Sequence, residues 1–288
     1  VKKVLRERKP AAVLGLGGYA AGVAVRMASE KNIASAILNP DVIPGKANQY
    51  LIRHVRAVCC QFEETRSHVA ANQQDKLKIT GCPIRLEMQD LQTHEQAARK
   101  LGLDPILKTL VITGASQGAA TVNEGVLELM PSLRLTGWQV LHLSGKDHAE
   151  SVRQGYREAN IPALVVDFTP AMQDVWAVAN LCISRAGAST CAELTACGVP
   201  SILMPYPFHK DMHQRANAKV LEDHGAAVMV DDAKNRKENA AKLRPAVEPL
   251  LHDATKRHTM STAARALGRR DASESVAHVL LDMIADKK

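Results

Sequence analysis

Leu110-Val111-Ile112-Thr113 passes directly into Gly114-Ala115-Ser116-Gln117-Gly118, and then into a helical pattern over Ala119–Met130. A continuous apolar run fits a parallel strand covered on both faces better than a half-exposed strand. A glycine-rich turn that opens a helix completes the βα half of a βαβ unit. The same grammar repeats along the chain. Strands are expected at Ala12–Leu16, Ala34–Leu38, Ala57–Cys60, Leu77–Ile79, Gln139–Leu143, Ala163–Val166, Leu181–Ser184, Ser201–Met204 and Ala227–Val230. Helical patterns at Gly18–Glu30, Ser151–Asn160, Thr190–Cys197 and Gln214–His224 separate several of them. The expected class is α/β with parallel sheets.

The 288 residues exceed one typical core of roughly 100–200 residues, so two domains are expected. A polar stretch over Leu86–Arg99 follows Pro83-Ile84-Arg85 and reads as the linker. From Asn235 to Lys288 the pattern is helical throughout. Hydrophobic residues at 46% and charged residues at 23% exclude a disordered or fibrous chain. Aromatics at 3% argue against stacking platforms for nucleic acid, and no nucleic-acid partner is expected. No apolar run reaches the ~18–20 residues that span a bilayer. The net charge of +7 favours anionic partners or serves only solubility. Cys59, Cys60, Cys82, Cys182, Cys191 and Cys197 form no C-x-x-C pair, and Cys59, Cys182 and Cys191 read as buried free thiols.

Ligands of open α/β sheets bind beyond the carboxyl ends of the strands. Four segments there are unusual. Gly15-Leu16-Gly17-Gly18-Tyr19 suits an anion at a helix start, or is only a tight turn. Gly114–Gly118 admits a phosphate cradle at Ser116 and Gln117, a helix cap at Ser116, or a G-x-S-x-G nucleophile elbow. In the last case Asp167 or Asp231 with His252 would complete a triad. In Ser184-Arg185-Ala186-Gly187-Ala188-Ser189-Thr190-Cys191-Ala192-Glu193, the carboxylate of Glu193 suits a ribose diol. Spacing alone favours a capping box of Thr190 with Glu193. In Met204–Asn217, the fixed geometry of Asp211, Gln214 and Asn217 suits sugar hydroxyls. His209 and His213 lack the glutamate of a zinc protease motif, so no metal is expected.

These segments, together with Gly81-Cys82-Pro83-Ile84-Arg85 and Phe208-His209-Lys210-Asp211, resemble the MurG family of N-acetylglucosaminyltransferases in order and spacing. The resemblance implies a GT-B fold: two Rossmann-like domains with a cleft between them. Residues 1–85 would form the acceptor-side domain, with helix 272–288 packing back on it. Residues 86–271 would bind the donor. It implies transfer of N-acetylglucosamine from UDP-N-acetylglucosamine to lipid I, giving lipid II with inversion, without a cofactor. It places Arg85, Ser116, Gln117, Asn123, Ala188, Ser189 and Thr190 around the donor, and Phe168, Thr169 and Met172 by the uracil. Glu193 would take the ribose, and Asp211, His213, Gln214 and Asn217 the sugar. Gly17, Gly18 and Tyr19 would face the acceptor.

Departures accompany the match. The family's G-G-T-G-G-H loop does not occur, so the catalytic base stays unassigned. The chain is expected to begin inside its first domain, leaving that domain incomplete and activity poor. Asp41, in Leu38-Asn39-Pro40-Asp41, stands where the family carries an acidic loop residue. The implied location is peripheral, on the cytoplasmic face of the cell membrane, at an anionic surface. The competing readings are a non-catalytic UDP-sugar-binding module and a serine hydrolase using Ser116.

Overall fold

The computed structural model describes residues 1–114, 118–208 and 211–286. They form two units: residues 1–84 with 269 onward, and residues 85–268.

The first unit begins with α1 (Lys2–Arg8), β1 (Ala12–Gly15), α2 (Gly18–Glu30), β2 (Ala34–Asn39), α3 (Lys46–Leu51), β3 (Ala57–Cys60) and β4 (Leu77–Ile79). The four strands lie in sequence order and are parallel. Side chains alternate across a strand, so β2 sends Ile37 to one face and Ala34 and Ala36 to the other. Ile37 joins Val25, Leu51 and Val58 in one core. The alanine face is covered from the far end of the chain, as described below. Coverage on both sides explains why every residue of β2 is buried.

The second unit contains α4 (His94–Leu101), β5 (Lys108–Thr113), α5 (Ala120–Leu129), β6 (Trp138–Leu143), α6 (Ala149–Glu158), β7 (Ala163–Val166), α7 (Met172–Val178), β8 (Ala179–Ser184), α8 (Ala188–Cys197), β9 (Ser201–Leu203), α9 (His213–Asp223), β10 (Ala227–Met229), α10 (Arg236–His252) and α11 (Ala254–Leu267). Its sheet has the order β10-β9-β8-β5-β6-β7, and every pair is parallel. Counted within the unit this is the doubly wound order 3-2-1-4-5-6, whose direction reverses between β5 and β8. Leu110, Ile112, Leu181 and Ile183 fill the core with Val122 and Val126 of α5 and Leu243 and Val247 of α10.

The chain then returns to the first unit through α12 (Ala272–Ala285). Val279, Leu280 and Met283 recur at helical spacing and cover Ala34, Ala36 and Ala57. Small residues on the sheet let this helix approach closely.

Two expectations need correction. The polar stretch before Arg99 is not all linker, because α4 occupies its end. Thr93 and Gln96 form a capping box there, and Gly102 closes the helix at φ +74°. Arg85, the last residue of the expected first domain, lies in the second unit and donates to the Pro170 carbonyl.

Candidate functional site

The register aligns the carboxyl ends of the central strands. Thr113 of β5 pairs with Leu143 of β6 and with Ser184 of β8. The turns after these strands therefore open on one edge, at the point where strand order reverses. A cavity of about 420 Å³ lies there, within the size range of small-molecule sites. Thr113 and Leu143 form its floor at the strand ends. Asp167, Phe168 and Thr169 come from the segment after β7, and Met172 and Trp176 from α7. Gly187, Ala188, Ser189, Thr190 and Glu193 come from the start of α8, and Arg85 completes the wall.

The site combines three chemistries. Phe168 is 60% exposed, an aromatic face held at a pocket rather than buried. The amino end of α8 carries the positive pole of a ten-residue helix, which favours an anion. Glu193, one turn further in, has a side chain only 18% exposed. Its Oε2 accepts the Trp176 indole N–H at 2.8 Å, and Arg85 lies 3.8 Å from Oε1. Burial raises the Glu193 carboxyl above its ordinary range, against the opposing pull of Trp176 and Arg85.

The capping box of Thr190 and Glu193 does not form. α8 starts at Ala188 with Gly187 as its N-cap, so Thr190 already lies inside the helix. Glu193 is left facing the cavity.

Other expected residues are placed differently. Ser116 and Gln117, with His209 and Lys210, lie outside the described residues. Asn123 is buried and unavailable to a ligand in the cavity: its amide donates to the Ser144 carbonyl, and its Oδ1 meets His142 Nε2 at 3.0 Å. His142 Nδ1 bonds the Tyr156 hydroxyl, also at 3.0 Å. Asn217 is likewise fully buried and donates to the Ala186 carbonyl, tethering the turn before α8. Gln214 accepts the Tyr206 N–H, and Asp211 lies 3.4 Å from His213. Asp211, His213, Gln214 and Asn217 do not line the cavity.

The acceptor-side residues belong to the first unit. Gly17 and Gly18 make the turn after β1 at φ +100° and +76°, conformations that favour glycine. Tyr19 follows, 82% exposed. Asp41 accepts the Asn39 side-chain amide on its backbone carbonyl.

Among the described residues, the acid and base expected of a hydrolase triad are not brought together. Asp167 is paired with Arg153 at 2.6 Å, and Asp231 with Arg215. His252 ends α10, where Trp138 donates to the adjacent Leu251 carbonyl. Trp138 opens β6, so His252 lies by the amino edge of the sheet. Thr113, at the carboxyl end of β5, lies at the opposite edge, about 20 Å away for a six-residue strand.

One feature escaped the sequence reading. Arg185, immediately after β8, is buried and paired with Asp232 at 2.8 Å. It also donates to Thr121 and to the Met204 and Pro205 carbonyls. One side chain thus ties together α5 and the segments after β8, β9 and β10. Burial opposes ionisation of Asp232. Hydrogen bonds from Thr121, Asn239, the Lys234 N–H and Arg185 outweigh it and hold the carboxyl below its ordinary range. Among the described residues, no three His, Cys, Asp or Glu side chains gather as a metal site would require.

Residues 109–276 match the model of the glycosyltransferase family 28 C-terminal domain. A UDP-N-acetylglucosamine–N-acetylmuramyl-(pentapeptide) pyrophosphoryl-undecaprenol N-acetylglucosamine transferase of Listeria monocytogenes is 34% identical over 286 residues, 98% of this chain and 77% of that one. This chain belongs to the MurG family. A Myxococcus xanthus member bearing the same transferase name is 35% identical, with 98% and 71% covered. The crystal structure of Acinetobacter baumannii MurG superposes with a TM-score of 0.79 at 25% identity, over 97% of this chain and 76% of that one. A Neisseria meningitidis UDP-GlcNAc 2-epimerase, solved with UDP-GlcNAc bound, reaches 0.67 at 15% identity, covering 97% and 78%; it shares the fold. Membership in the MurG family makes the fold a GT-B one, and each unit here carries a parallel sheet layered with helices.

Proposed function

We propose that this chain is an inverting hexosyltransferase that moves N-acetylglucosamine from UDP-N-acetylglucosamine to lipid I, forming lipid II for peptidoglycan. The observation that carries the donor half is the cavity at the reversal of strand order. There an exposed Phe168, the amino end of α8 and the carboxylate of Glu193 converge. Phe168 and Thr169 take the uracil. Glu193 takes the ribose hydroxyls, and Ala188, Ser189 and Thr190 meet the diphosphate at the helix amino end. Inverting transfer requires stabilisation of the departing UDP, which that helix pole and the Arg85 guanidinium supply in this reading without a metal or cofactor. Ser116 and Gln117 are assigned to the same diphosphate, and Asp211, His213 and Gln214 to the sugar.

The acceptor half is assigned to the first unit, at the turn of Gly17 and Gly18, with Asp41 as its acidic residue. Leu16, Tyr19 and Val23 are 67%, 82% and 54% exposed around that turn. Exposed apolar side chains on a chain of net charge +7 support peripheral binding to an anionic membrane surface at the cytoplasmic face. Nothing in this reading calls on nucleic acid.

The test is calorimetric titration of the chain with UDP-N-acetylglucosamine and UDP-glucose, followed by transfer to lipid I in detergent. Saturable binding that favours the N-acetyl sugar, and formation of lipid II, are expected. A cooperatively melting chain that binds neither nucleotide sugar would overturn the donor assignment.

A further inference from the structure

Trp176 has no place among the residues that the sequence singles out, yet its indole N–H donates to Glu193. The indole N–H lies 2.8 Å from Oε2. The ring is 2% exposed and lines the cavity beside the carboxylate it holds. The helix that carries it is fixed in turn. Two residues earlier on α7, Asp174 is buried and paired at 2.6 Å with Lys100 of α4.

We infer that Trp176 is a positioning residue for donor recognition: its indole N–H holds Glu193 Oε2 so that the second oxygen meets the ribose hydroxyls. This rests on the reading that Glu193 takes the ribose. The chemistry of the two groups favours the arrangement. An ionised carboxylate only accepts, with about four lone-pair directions across its two oxygens. An indole N–H only donates. Trp176 therefore orients the carboxylate without accepting a hydrogen bond that a sugar hydroxyl would offer. It also supplies a partner for a buried charge, which is costly when left unpaired. The Arg85 guanidinium, a charged group near Glu193, lies 3.8 Å from Oε1, beyond hydrogen-bond distance. Oε1 is thus the oxygen toward which a diol docks. A glutamate has three side-chain torsions to fix, and one fixed oxygen removes most of that freedom before the donor arrives.

The test compares binding of UDP and 2′,3′-dideoxyuridine diphosphate by calorimetry, in the wild type and in Trp176→Phe. The wild type is expected to prefer UDP. Trp176→Phe is expected to shrink that preference roughly tenfold, the scale of one hydrogen bond to a charged group. Affinity for the dideoxy compound should stay within about twofold. Equal losses for both nucleotides would make Trp176 a filler of the core and overturn the inference, as would an unchanged preference. A wild-type chain that binds the two alike would instead remove the ribose role of Glu193, and the inference with it.

A second measurement serves if Trp176→Phe does not fold. The chain has two tryptophans, and Trp138 donates to the Leu251 carbonyl. With 15N-indole labelling, one of the two N–H signals is expected to follow a carboxyl titration in the free wild type. It should lose that dependence in Glu193→Gln. Two signals indifferent to pH, or a dependence that survives Glu193→Gln, would overturn the hydrogen bond on which the inference depends.

Discussion

Arg185 and Asp232 are paired at 2.8 Å with side chains 6% and 0% exposed, on segments that follow β8 and β10. Removing either partner strands the other charge out of water. Arg185→Met or Asp232→Asn is therefore expected to cost about 3–5 kcal/mol. The double variant should cost less than the sum of the two, because it leaves no lone charge. Denaturant titration of the four proteins checks this. The pH dependence has a definite sign. The Asp232 carboxyl is depressed in the fold, so its stabilisation is present above its ordinary value of 3.8 and is lost as the pH falls below that. In Asp232→Asn the acid side of the stability profile should be flatter.

Glu193→Gln addresses the donor site. Burial raises this carboxyl, whereas ribose hydroxyls are best met by the ionised form. Affinity for UDP should rise with pH as Glu193 ionises, and fall as acid protonates it. Glu193→Gln should weaken binding roughly tenfold at neutral pH and remove that rise. Calorimetry across the acid range reads both effects, and a variant that binds like the wild type at every pH would exclude Glu193 from the site.

His142 gives an acid signature of different origin. Burial lowers its pKa to about 3, so it stays neutral in the fold while an unfolded chain protonates it near 6.5. Stability is full above pH 6.5 and drains by up to ~1.4 kcal/mol per pH unit down to about 3. His142→Phe should lose this slope. It should also be less stable at neutral pH by about 1–3 kcal/mol for each polar group left unpaired, here Asn123 and Tyr156. Unfolding curves at pH 7 and pH 5 separate the two contributions.

Gly118 and Gly137 test space against conformation. Both have positive φ, +74° and +77°. A Cβ at Gly137 meets nothing within 4 Å, whereas one at Gly118 would lie 2.3 Å from the Ser144 carbonyl oxygen. Gly137→Ala should cost about 1 kcal/mol of backbone strain. Gly118→Ala should cost more, and it should weaken UDP-sugar binding by displacing the turn after β5. Thermal melting with and without UDP distinguishes the two.

The strands were legible because parallel strands buried on both faces appear as continuous apolar runs; all ten expected runs are strands. α4 was not legible as a helix by its apolar face, since it buries only Ala97 and Ala98. Its caps, Thr93 with Gln96 and then Gly102, carried the missing signal. At the site, residue type alone did not separate Glu193 from Asn123. Both are polar and follow a strand, but Glu193 faces the cavity while Asn123 spends its amide on Ser144 and His142. Trp176 and Arg185 were missed for a related reason. Their partners, Glu193 at 17 positions and Asp232 at 47, become neighbours only through the strand crossovers.

The return of α12 to the first sheet sets an order of events on the ribosome. Translation proceeds at roughly 5–20 residues per second from the amino end. The face formed by Ala34, Ala36 and Ala57 is therefore made well before Met283, which covers it and emerges 226 residues after Ala57. The second unit, contiguous in the chain, can close completely while the first still has one side of its sheet open. A nascent chain stalled just before α12 would present that alanine surface to chaperones.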